Sequence, residues 1–168
     1  SKAVHAIDYL EDPASHPSGP VCVVFGDEAF LKRRVLAALR QEVLGGGDAD
    51  FSFSSLEGDK AALEDVIDEL STMAMFGRGK RLVLVEEADG FVSQHRAALE
   101  QYVAKPKSSG VLVLEVKSWP ANTRLFKAVA QAGLAVECSL PPAARLIKWL
   151  VAWARSAHGV QLPSAAAE

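Results

Sequence analysis

Cysteine is nearly absent from this sequence. The two that occur, Cys22 and Cys138, sit in apolar runs and not at metal-ligand spacings, which points to buried, reduced thiols of a cytosolic protein. Basic excess is absent as well. The net charge is -3, whereas a domain that lives on nucleic-acid phosphates carries a surplus of Lys and Arg, so this chain is not expected to hold nucleic acid by itself. No apolar run reaches transmembrane length, and the opening "SKAVHAIDYL" lacks a signal-peptide pattern, which points to the cytoplasm and away from a membrane. His5, His16, His95 and His158 are scattered without metal spacing. No Gly-x-Ser-x-Gly elbow or Cys/His arrangement occurs.

What is present is ordinary globular composition, 49% apolar and 23% charged over 168 residues, enough for one full core and the start of a second domain. Runs of β-branched and apolar residues alternate with helical patterns. "VCVVF" (21–25), "LVLV" within 81–86 and "VLVLEV" (111–116) read as strands buried on both faces; "FSFS" (51–54) reads as a more exposed strand and "AVEC" (135–138) as a short last one. Between them, Leu31, Val35, Leu36, Leu39 and Val43 fall at helical spacing, and "GGG" (45–47) stops that helix. Leu63, Val66, Ile67, Leu70 and Met73 predict an amphipathic helix over 60–73 with Asp59 as its N-cap. Val92, Leu99, Tyr102 and Val103 mark a helix closed by Pro106, and Leu125, Phe126 and Val129 one that stops near Gly133. Alternating β and α without hairpin signals predicts an α/β domain, a parallel five-stranded sheet with helices on both faces. After two prolines the pattern turns helical, with Leu146, Ile147, Leu150, Trp153 and Ala154 on one face and a further helix beginning near the end. A domain over 1–139 followed by the start of a helical one over 140–168 is expected, the chain being a fragment of a longer protein.

The first strand-to-helix turn is where such a sheet binds phosphate. A P-loop needs several glycines, a Lys and a following Ser or Thr. Here the turn reads "FGDEAFLKRR". It has Gly26 alone, then Asp27 and Glu28 where phosphate would sit, and Lys32 without a following Ser or Thr. The two acids favour the positive helix N-terminus instead, and no ligand is expected. "LVLVEEAD" imitates a Walker B segment, but without a P-loop Glu86 and Glu87 are read as solvated charges at a strand end. Arg78, Lys80 and Arg81 form a basic cluster read as a solvated turn. The pattern is that of a P-loop NTPase with its phosphate loop erased, which favours an interaction role over catalysis. The alternative is a divergent but active nucleotide-binding ATPase; a third reading is a scaffold.

One stretch fits none of these roles. In "AMFGRGKRLVLV" (74–85) Met75 and Phe76 follow the core stripe of the 60–73 helix and precede Gly77, expected to end that helix. Continuing the stripe lands on residue 74 or 77 and not on Phe76. From spacing, Phe76 either closes the core or projects into solvent.

The order "VVFGDEAFLKRR", "DELSTMAMFGRGKRLVLVEEAD", "LEQYVAKPKSSGVLVLEV", "NTRLFKAVAQAGLAVEC", "RLIKWLVAWARSAHGVQL" resembles the delta-subunit family of bacterial DNA polymerase III, the clamp-loader subunits that open the sliding clamp. The resemblance implies an AAA+-like domain with strand order 5-1-4-3-2, placing Cys22 and Cys138 on neighbouring strands, and then the start of a helical lid domain. It implies a non-catalytic subunit of the polymerase holoenzyme, without ATPase activity or cofactor. Met75 and Phe76 match the family's clamp-binding pair, which plugs a pocket on the beta sliding clamp; the family more often has Leu before the Phe. Other clamp-loader subunits would be joined through a C-terminal collar that this chain lacks, with DNA met only in the assembly.

Overall fold

The computed structural model describes residues 3–46, 48–74 and 79–167. They form two units, residues 1–138 and 139–168. In the first, the strands are β1 (Val4–His5), β2 (Val21–Phe25), β3 (Phe53–Glu57), β4 (Arg81–Glu86), β5 (Gly110–Val116) and β6 (Leu134–Glu137). They pair in parallel throughout, in the order β1-β6-β2-β5-β4-β3. The expected order of the five predicted strands is present. The sheet has six strands rather than five, because the two-residue β1 adds to the edge beside β6. A pair so short carries no periodic signal.

The helices are α1 (Ala6–Glu11), α2 (Ala29–Leu44), α3 (Leu63–Ser71), α4 (Asp89–Ala104) and α5 (Arg124–Ala132). Helices α3, α4 and α5 cover the sheet face that carries Val23, Val83, Val85, Leu112 and Leu114. Helix α2 covers Leu82, Leu84 and Val113 on the opposite face, with α1 beside it. Residues 111–114 of β5 are therefore buried from both sides, each worth about 1.5–3 kcal/mol of apolar burial. That accounts for the unbroken apolar runs: a strand sandwiched between helices has no solvent face on which to alternate.

Three boundaries differ from expectation. The strand placed at 51–54 begins only at Phe53, because residues 48–52 form a 3-10 turn; Phe51 there is exposed and Ser52 buried. The last strand is Leu134–Glu137, so Cys138 lies just beyond it. The helix placed over 60–73 is Leu63–Ser71, capped at its start by Ala62 and not by Asp59. It stops early for a visible reason. The Ser71 and Thr72 hydroxyls donate to the carbonyls of Ile67 and Asp68 at 2.7 and 2.9 Å, and Thr72 is extended (φ -73°, ψ 127°). Hydroxyls that bond back to the preceding turn compete with continuation of the helix. Met73 is consequently 80% exposed and off the core stripe, and the helix has ended at Ser71, before Gly77, which lies outside the described residues. Residues 75–78, with Met75, Phe76 and Arg78 among them, lie outside the described residues.

The second unit contains α6 (Ala143–His158) and α7 (Ser164–Ala167). Pro142 is the N-cap of α6, and Gly159, left-handed at φ 62°, ends it. Trp149 and Trp153 stack with their ring centroids 6.0 Å apart.

Candidate functional site

Parallel strands bring the carboxyl ends of β2, β4, β5 and β6 together, and the turn after β2 lies among them. That turn is only Gly26, Asp27 and Glu28. Gly26 has φ 119°, and a Cβ there would lie 2.3 Å from the Cys138 carbonyl oxygen, so only glycine fits. The turn is stitched to its neighbours. The Gly26 N–H donates to the Lys117 carbonyl at 3.2 Å and the Glu28 N–H to that of Cys138 at 3.0 Å. The Glu28 carboxylate accepts the Phe30 N–H at 3.3 Å, capping α2 with the chain's own anion. Asp27 is exposed. Counted at P-loop spacing from Gly26, Leu31 stands for the second glycine, Lys32 for the lysine and Arg33 for the Ser or Thr. Because α2 starts at Ala29, Leu31 is already a buried helical residue. No wide loop is left to ring a phosphate.

Lys32 is buried and has partners inside the protein. Its Nζ donates to Glu115 Oε1 at 2.6 Å and to the Val116 carbonyl at 2.8 Å. Glu115 Oε2 accepts the Glu87 N–H at 2.9 Å. Glu87 is left-handed at φ 47°, an uncommon place for a side chain with a Cβ. Glu86 and Glu87 are exposed, Glu86 accepting the Ser55 hydroxyl. They line an acidic hollow with Glu57 and Asp59. Among the described residues no group of three His, Cys, Asp or Glu is arranged to hold a metal ion. The residues here therefore do not fit a magnesium nucleotide. Cys138, beside this turn, and Cys22, at the far end of β2, are free and buried, and burial pushes both thiols up to about 12.

At the opposite end of the sheet lie the two ends of the segment between α3 and β4. The Arg81 guanidinium donates to the Glu69 carboxylate, to the Ser54 hydroxyl at 3.0 Å and to the Phe51 carbonyl at 3.4 Å. The Arg81 N–H donates to the Ser109 carbonyl at 2.9 Å, and the Ser109 hydroxyl to that of Leu70 at 2.6 Å. Arg81 is thus a half-buried, paired side chain and not the solvated turn charge expected of it; Lys80 beside it is exposed. The Ser54 hydroxyl, followed by Arg81, holds the Glu69 carboxyl below its ordinary value against partial burial. Sequence reasoning missed Glu115 and the Glu69–Arg81 pair. For Glu115 a signal existed: one acid inside the buried run "VLVLEV" requires a partner. The partner itself is 83 positions away.

A family model described as DNA polymerase III, delta subunit matches residues 23–139. The chain belongs to that family. The DNA polymerase III subunit delta of Bacillus subtilis (strain 168) is 27% identical over 103 residues, covering 56% of this chain and 29% of that protein. Among solved structures, the Bacillus subtilis DNA clamp loader delta protein superposes with a TM-score of 0.71 at 22% identity, over 96% of this chain and 49% of that one. A Thermotoga maritima DNA polymerase III gamma subunit-related protein superposes at 0.58 and 16% identity, over 85% of this chain and 49% of that one. At these identities the superpositions establish the fold, an α/β sheet of the clamp-loader, AAA+-like kind. The chain spans about half or less of the length of these relatives. Among the described residues, no helix is long and apolar enough to cross a membrane.

Proposed function

We propose that this chain is the clamp-contacting part of a clamp-loader delta subunit, acting in the cytoplasm. Residues 1–139 form its AAA+-like domain with a degenerate nucleotide site, and residues 140–168 begin its helical lid domain. Met75 and Phe76 enter a pocket on the beta sliding clamp. Because the aromatic anchor binds better to a clamp whose ring interface is open, binding shifts the clamp towards that state. Other loader subunits are joined through regions beyond this chain, and DNA is met only in the assembly.

The observation that carries this reading is the family match over residues 23–139. The closed turn at Gly26–Glu28 supports the non-catalytic part of it, and the early end of α3 at Ser71 supports a segment that leaves the helix before Met75. The test is capture of the purified cognate clamp by this chain, with calorimetry for affinity. Retention of the clamp by the wild-type chain and its loss with Phe76→Ala is expected. Equal capture by both would place the contact elsewhere. Saturable micromolar binding of ATP would favour the divergent ATPase instead.

A further inference from the structure

The nucleotide turn is not merely short of glycines; its lysine has been given another anion. We infer that Glu115 is a built-in counter-ion that fills the anion position of the degenerate nucleotide site, and that removing its carboxylate uncovers a latent site for inorganic pyrophosphate. The inference rests on reading Gly26–Lys32 as that degenerate site.

Three observations carry it. Lys32 keeps the P-loop spacing from Gly26, and the residue is buried, 8% exposed, where an unpaired charge would be strongly destabilising. The two oxygens of one carboxylate take two donors, Lys32 Nζ at 2.6 Å and the Glu87 N–H at 2.9 Å. One donor comes from the first turn of α2, just after the β2 turn, and the other from the turn after the acidic strand β4, the two places that face phosphate and metal in P-loop proteins. A phosphate bridges such turns with separate oxygens, and Glu115 does the same from β5. The arrangement also gives the left-handed Glu87 backbone a partner within the protein.

Without the carboxylate, Lys32 retains a buried positive charge with one carbonyl partner, and the Glu87 N–H loses its acceptor. A small polyanion satisfies both. The experiment is thermal unfolding of the wild-type chain, Glu115→Ala and Glu115→Ala/Lys32→Met, with and without sodium pyrophosphate at matched ionic strength. The Glu115→Ala chain should melt lower than wild type in buffer and recover about 3–5 °C at ten times its dissociation constant for pyrophosphate. Wild type and the double variant should not respond. Equal responses in all three chains, or none in Glu115→Ala, would overturn the inference. If Glu115→Ala does not fold, Glu115→Ser replaces it in the same comparison, because its short side chain also vacates the anion position while leaving a small polar group on β5. Uptake of ATP by the wild-type chain would overturn the degenerate-site reading, an outcome distinct from pyrophosphate indifference of the variant.

Discussion

Arg81, the first residue of β4, reaches back to the Glu69 carboxylate in the last turn of α3. One guanidinium thereby ties together the two ends of the segment that carries Met75 and Phe76, and through Ser54 and the Phe51 carbonyl it ties both to the β3 edge.

The Glu69 pair has a pH signature. Its folded pKa lies below the ordinary 4.5, chiefly through the Ser54 hydroxyl. A depressed carboxyl contributes stability above its unfolded pKa and loses it as pH falls through the folded one. Glu69→Gln should cost about 0.5–1 kcal/mol at pH 7, a figure kept small because the carboxylate is partly solvated and screened. Wild type and variant should converge only as pH falls through that lowered folded value. Denaturant titrations at a series of pH values from 7 downward check this, and a difference that stays constant across the series would assign the loss to packing.

Gly26→Ala should be severe. The new methyl would lie 2.3 Å from the Cys138 carbonyl oxygen at φ 119°, and strain plus displaced backbone should cost about 3 kcal/mol or more. Chemical denaturation measures it directly. A loss under 1 kcal/mol would mean that the turn re-forms without its contact to Cys138.

Both thiols should be silent in the native state. With pKa values pushed to about 12 by burial, neither Cys22 nor Cys138 offers thiolate at pH 8. A thiol-disulfide reagent should titrate no group in the native chain and two after denaturation. Rapid native reaction of either would contradict its burial.

Phe76→Ala should leave folding nearly intact and weaken clamp binding by about 2–4 kcal/mol, roughly thirtyfold to a thousandfold in dissociation constant. Met75→Ala should weaken it less, because a flexible thioether fills a pocket loosely. Calorimetric affinities and melting curves of the same preparations separate the outcomes. Lost stability with unchanged affinity per folded molecule would make Phe76 a core residue.

Residue order alone was enough to locate the elements whose side chains must be dry. "VCVVF", "LVLV" and "VLVLEV" became β2, β4 and β5 almost to the residue, because a strand buried on both faces has no freedom to be polar. The missing phosphate loop was legible for the same reason: backbone that must ring an anion needs glycines, and Asp27 and Glu28 are not glycines. The end of α3 was not legible from its stripe. Met73 fits the spacing, but two hydroxyls at Ser71 and Thr72 outcompete one more turn, and a periodicity count does not weigh capping. The short β1 depended on an edge that exists only once β6 is in place. The pairing of the charges came from the folded arrangement of the strands and helices. Lys32 and Glu115 are 83 positions apart, as Arg81 and Glu69 are 12 apart, and whether an ionised side chain is solvated or bound depends on which strand end the fold sets against it.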